Sequence, residues 1–113
     1  MSLSLRRQGA QIITFPSAFT PHTGNAHWEV LLRARAIETQ SYIVAAAQVG
    51  EHNGKRASYG HSMIVDPWGT VVASLKGEED VGKVVTAEID VMAMEKVRQE
   101  MPLLRRTDVY SEV

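Results

Sequence analysis

The groups from which this 113-residue chain could build a reactive site are four histidines and a set of serines, with no cysteine. His22, His27, His52 and His61 include no pair at helical spacing with a carboxylate three or four residues away, so the pattern that makes a zinc-type site is missing and no metal is expected. Gly60-His61-Ser62 hints at a serine nucleophile. It begins a hairpin strand, however, rather than a Gly-x-Ser-x-Gly strand-to-helix elbow, and the serine is read as structural. Phosphate-cradling glycine loops do not occur, and no cofactor is expected. Glu29 with Arg33 at i,i+4 and Arg35 with Glu38 at i,i+3 are open to pairing on one helix or to acid–base work, with pairing the simpler reading. Without cysteine the chain supplies no thiol nucleophile, no disulfide and no thiolate-bound metal.

These residues need a fold to hold them. A chain of this length suits one domain, and 44% hydrophobic with 22% charged residues is ordinary globular usage. Twelve Lys and Arg against 13 Asp and Glu give a net charge of -1, leaving no surplus for a polyphosphate backbone or an anionic bilayer. No apolar run approaches the roughly 18 residues of a membrane span. A soluble, cytoplasmic chain is expected, with neither nucleic acid nor membrane as partner.

Along the chain, Leu3 to Gly9 reads as the end of a helix. Ala10 to Phe15 reads as a buried strand stopped by Pro16, and Ser17 to Gly24 as a loop. Asn25 is placed to cap a helix from Ala26 to Gln40, with Trp28, Leu31 and Leu32 on one apolar patch and Val30, Ala34 and Ile37 on another. Tyr42 to Val49 is apolar on consecutive positions, as in a strand covered on both faces, and completes a β-α-β unit. After a polar loop from Gly50 to Ser58, strands at Gly60 to Val65 and Thr70 to Leu75 flank the turn Asp66-Pro67-Trp68-Gly69. A fifth strand is expected at Lys83 to Ile89, then a helix capped by Asp90 and carrying Val91, Met94, Val97 and Met101. The tail from Leu103 to Val113 has no period. Five strands against two full helices and a stump leave apolar surface uncovered, which calls for a missing part or a docked partner.

Three stretches together carry a resemblance: Phe15-Pro16-Ser17-Ala18-Phe19-Thr20, then Thr23-Gly24-Asn25-Ala26-His27-Trp28-Glu29 running on to Gln40, then Tyr59-Gly60-His61-Ser62-Met63-Ile64-Val65-Asp66-Pro67-Trp68-Gly69. They resemble the nitrilase superfamily of carbon–nitrogen hydrolases, in particular its deaminated glutathione amidase branch, with the ω-amidases as near relatives. The resemblance runs from about Leu3 to Tyr110 and covers only the C-terminal part of the family domain. It implies an α/β fold, the C-terminal half of a nitrilase-type α-β-β-α sandwich, with the N-terminal half absent from residues 1–113.

The family cleaves amides with a Glu base, a Lys supporting the oxyanion and a Cys nucleophile that becomes acylated. All three lie, by resemblance, N-terminal to the matched segment, so the chain holds no catalytic residue and is expected to be inactive alone. What the resemblance places here is one wall of a pocket for a small amide: Ser17, Ala18, Phe19 and Thr20 after a strand C-terminus, with His27 and Trp28 on the same rim and a helix N-terminus suited to a carboxylate. Phe19 and Trp28 are equally suited to packing, and Thr20 to capping. The helix from 26 to 40 is implied to lie near a two-fold interface, so a homo-oligomer is expected. The alternative is a non-catalytic module that assembles with a full-length relative.

Overall fold

The computed structural model describes residues 1–104, 106 and 108–110. Helix α1 spans Ser2–Arg7, strand β1 Ile12–Thr14, helix α2 Pro21–Thr39, and strand β2 Tyr42–Ala45. They are followed by β3 (Val49–Glu51), β4 (Ala57–Tyr59), β5 (Met63–Val65), β6 (Val71–Ser74), a 3-10 turn (Gly77–Asp80) and α3 (Val91–Glu100). Strands β1-β2-β5-β6 form one mixed sheet in that order: β1 and β2 run parallel, joined by α2 as the crossover, and the other two pairs are antiparallel. β3 and β4 form a separate hairpin. This is an α/β fold.

The core lies between α2 and one face of the sheet. Ile13, Ile43, Ala45, Met63 and Val65 alternate onto that face and pack on Trp28, Leu32 and Ala36, which recur every four residues along the helix. On the other face Val44, Ile64 and Ala73 are half-buried and Ile12 is exposed, so the sheet is covered on one side only over much of its area. α2 also presents an outward apolar strip, with Val30 67% and Ile37 46% exposed. Leu31, grouped with Trp28 and Leu32 in the sequence, is exposed as well. The charged residues of this helix pair locally: Arg33 with Glu29 at 3.3 Å, and Arg35 with Glu38. Arg33 Nε also donates to Gly69 O at 2.8 Å, tying the helix to the turn between β5 and β6. In that turn Asp66 Oδ1 accepts from the Trp68 and Thr70 amides, and a Cβ on Gly69 would stand 2.7 Å from Ile37.

Several expectations need correction. α2 begins at Pro21 rather than Ala26, because Thr20 Oγ1 accepts from the Thr23 amide and Pro21 supplies a preset φ at the first helical position. The span from Gly50 to Ser58 is the β3–β4 hairpin, not a loop; its arms are too short to show alternation. Lys83 to Ile89 forms no strand among the described residues. Val85, Ala87 and Ile89 are half-buried and their neighbours exposed, so the alternation is real, but the segment pairs with none of the described strands and no ladder forms. The remaining strands are shorter than expected, since β2 gives way to β3 after Ala45 and positive φ at His61 interrupts the approach to β5. α3 follows its expected cap, with Asp90 Oδ1 accepting from the Ala93 amide at 2.8 Å and Met94 buried. Of the tail, residues 105, 107 and 111–113 lie outside those described.

Candidate functional site

The C-terminal ends of the two parallel strands meet at one edge of the sheet, the edge where α/β folds offer loops and a helix N-terminus to ligands. Beyond β1 the chain stays bound to the segment leaving β2. The Ser17 amide donates to Ala46 O at 2.9 Å and the Gln48 amide to Ser17 O at 3.0 Å, so Ser17 is held as a continuation of the parallel ladder. Phe19 O accepts from the Tyr59 amide at 2.9 Å. The loop from Ser17 to Thr20 is therefore anchored at both ends, and it presents Ala18 and Thr20 to solvent with Ser17 and Phe19 half-buried.

Thr20 is the cap of α2, bonded through its hydroxyl to Thr23 Oγ1 at 2.9 Å. No acidic residue occupies the first turn, so the partial positive charge of the helix start is not neutralised there. His27 and Trp28 lie in the second turn and diverge: His27 is exposed, whereas Trp28 is only 3% exposed. The indole packs on Phe19 with ring centroids 5.0 Å apart, and its Nε1 donates to His61 O at 2.8 Å. Trp28 thus supports the loop from beneath, and Ser17, Ala18, Phe19, Thr20 and His27 stand nearer solvent.

Two residues not placed in the site from sequence brace it. The Tyr59 ring lies so close to α2 that a Cβ on Gly24 would stand 2.3 Å from it, and on its other side it stacks on His61, centroids 3.8 Å apart and planes 10° apart. His61 holds φ +62, a left-handed conformation uncommon outside glycine. Its Nδ1 lies 2.8 Å from Tyr59 O, and since a carbonyl only accepts, Nδ1 carries the hydrogen. Gly60 beside His61 is a signal of irregular backbone that the strand expected from Gly60 to Val65 passed over; the stacking had none.

No serine is set up as a nucleophile at this edge. Ser62 Oγ accepts from the Ala47 amide at 2.9 Å and bridges two strand ends, as its structural reading requires. Ser17 Oγ reaches only Phe15 O, at 3.4 Å. Ser58 does meet His52 Nε2 at 2.7 Å, but Ser58 is buried within β4, closed to an attacking geometry, and the contact staples the hairpin. Among the described residues no group of three His, Asp or Glu side chains could hold a metal ion. The arrangement is an anchored loop beside a helix start, and neither Ser17 nor Ser62 is paired there with a base.

Residues 1–99 match the carbon–nitrogen hydrolase family. A probable hydrolase nit2 of Schizosaccharomyces pombe is 55% identical over 112 residues, covering 99% of this chain and 41% of that protein. The deaminated glutathione amidase of Homo sapiens is 56% identical over 115 residues, covering all of this chain and 34% of that one. In structure, the Caenorhabditis elegans NitFhit protein superposes with a TM-score of 0.87 at 55% identity, over 97% of this chain and 26% of its own. Nit3 of Saccharomyces cerevisiae, a member of branch 10 of the nitrilase superfamily, superposes at 0.82 and 35% identity, over 93% and 38%. The chain spans well under half the length of these relatives, and it carries their fold over nearly all of its own. With the family match, the sequence identities and the shared α/β architecture in agreement, the chain belongs to the carbon–nitrogen hydrolase family.

Proposed function

We propose that these residues are the C-terminal portion of an amidase that cleaves a small amide, deaminated glutathione or an ω-amide, and that they supply one wall of its substrate pocket. The observation that carries this is the anchored loop from Ser17 to Thr20 beside an unneutralised helix start, in a chain 56% identical to a deaminated glutathione amidase. In the parent enzyme a Cys thiolate attacks the amide carbonyl, the amine leaves with a proton, and water hydrolyses the thioester. This chain has no cysteine and is inactive alone. The test is hydrolysis of deaminated glutathione and α-ketoglutaramate by the 113-residue chain and by a fusion placing it behind the N-terminal remainder of the Schizosaccharomyces relative. The chain is expected to match the no-enzyme blank and the fusion to turn over. Turnover by the short chain that disappears in Ser17→Ala overturns the inactivity, and a silent fusion overturns the amidase reading.

A second reading is favoured by the outward strip of α2. Val30, Ala34 and Ile37 recur at i, i+4 and i+7 with Val30 and Ile37 exposed, the spacing of a helix seam. Pairing of this helix with a second copy, or with a full-length relative in the cytoplasm, covers the strip. Sedimentation of Val30→Glu is expected to show the smaller species; an unchanged mass removes this surface as the contact.

A further inference from the structure

Resting on the reading that the edge from Ser17 to Thr20 receives an amide, we infer that Lys55 and Arg56, at the tip of the β3–β4 hairpin, recognise the far carboxylate of an extended, peptide-like amide and so select tailed amides over short ones. The base of the hairpin is joined to the candidate pocket wall: it leaves from Gln48, whose amide bonds Ser17 O, and returns at Tyr59, whose amide bonds Phe19 O. Three ladder pairs, Val49 with Tyr59, Gly50 with Ser58 and Glu51 with Ala57, separate this base from the tip. At about 3.3 Å per residue the tip stands ~10 Å beyond the loop. A two-residue extension reaches roughly 7 Å, and a Lys or Arg side chain closes the rest. An amide with no tail falls short.

The tip is held without these two side chains. The His52 amide donates to Arg56 O at 2.9 Å, and Asn53 Oδ1 accepts from the amides of Lys55 at 3.2 Å and Arg56 at 3.1 Å. Lys55 and Arg56 are exposed, and neither side chain makes an ion pair or hydrogen bond among the described residues. The arginines of α2, by contrast, are engaged with Glu29 and Glu38. Acid near the hairpin comes from Glu51, beside the tip, and from the 3-10 turn packed on β3, which carries Glu78, Glu79 and Asp80; the Glu78 carboxylate stands 3.9 Å from where a Cβ on Gly50 would be, and Asp80 is paired with Lys83. The cations therefore outnumber the acid within the tip itself, and Glu78 lies beside the middle pair of the ladder.

Deaminated glutathione and α-ketoglutaramate share the acyl group, and only the former carries a cysteinylglycine tail ending in a carboxylate. In the fusion described above, Lys55→Ala/Arg56→Ala is expected to lower the ratio of kcat/KM for the tailed over the untailed amide five- to tenfold, chiefly through KM, and Lys55→Glu/Arg56→Glu to lower it further. An unchanged ratio overturns the inference while leaving the amidase reading intact. A fusion silent on both amides fails that reading instead. The tip is then tested in the 113-residue chain by titrating deaminated glutathione and following the backbone amides of residues 55 and 56 by NMR. Saturable shifts that vanish in the double variant support it, and unmoved amides overturn it.

Discussion

The two ends of the four-stranded sheet are built on opposite plans. At the end where β1 and β2 begin, polar groups are turned inward and consumed by one another. Arg98, its side chain 8% exposed, donates to Gln40 O, Ala10 O and Ser41 Oγ, each at 3.0 Å, and pairs with Glu95. Gln40, in a left-handed cap, donates in turn to Met101 O at 2.7 Å. Burial and the neighbouring Arg6 pull the Arg98 guanidinium below its usual pKa, and Glu95 opposes them. At the other end, Trp28, Tyr59 and His61 are locked together while Ala18, Thr20, His27 and the hairpin cations face solvent. One end fastens α2 and α3 to the sheet; the other is braced from within and leaves its outer groups facing solvent. A groove also opens at the fastened end, beside Arg6, Ile37, Gln40 and Arg98, where the Gln40 and Arg98 side chains are already bonded to backbone carbonyls.

The comparison is broken most severely at Arg98. Replacing it by Met leaves Gln40 O without its donor, removes one of the two donors to Ala10 O and one bond to Ser41 Oγ, and a loss of about 2 to 4 kcal/mol is expected in urea unfolding; a loss below about 1 kcal/mol means the fastened end holds by packing alone. At the braced end the contrast is between adjacent residues. Trp28→Phe removes the donor to His61 O and part of the support under Phe19, and about 1 to 3 kcal/mol is expected, whereas His27→Ala is expected to stay within about 0.5 kcal/mol. Equal effects erase the distinction between support and rim. The smallest effect is at Asp80, whose carboxyl is held below its ordinary value by Lys83 Nζ at 2.6 Å and by the Lys76 amide. Because that pKa is depressed on folding, the support given to the 3-10 turn is complete above the ordinary carboxylate range and is lost as pH falls through the lowered value. The Lys76 amide resonance is expected to move in that acid window and to stop moving in Asp80→Asn.

Much of this was legible in the residues themselves. The apolar run at Tyr42, the turn residues Asp66-Pro67-Trp68-Gly69 and the cap at Asp90 each carry their conformation locally, because an apolar strand, a type I turn and an N-cap are decided within a few residues. The stretch from Ser17 to Thr20, which the structure shows as a loop bonded to Ala46, Gln48 and Tyr59, was singled out by the motif it carries. Its neighbour was not: whether Thr20 or Asn25 starts the helix is a contest between two good caps, and Pro21 settles it.

The sequence by itself determined the α/β class, the order of the principal elements, the family resemblance and the absence of a thiol, since these follow from composition, short-range pattern and motif. The tertiary structure alone decided that His27 faces solvent while Trp28 is buried, that Tyr59 is clamped between Gly24 and His61, that a polar stretch becomes a hairpin joined at its base to the loop from Ser17 to Thr20, and that Lys83 to Ile89 has no described strand partner. Each depends on contacts between residues far apart in the chain. A periodic pattern states which side of an element is apolar, but what stands opposite that side is decided only when the chain closes on itself.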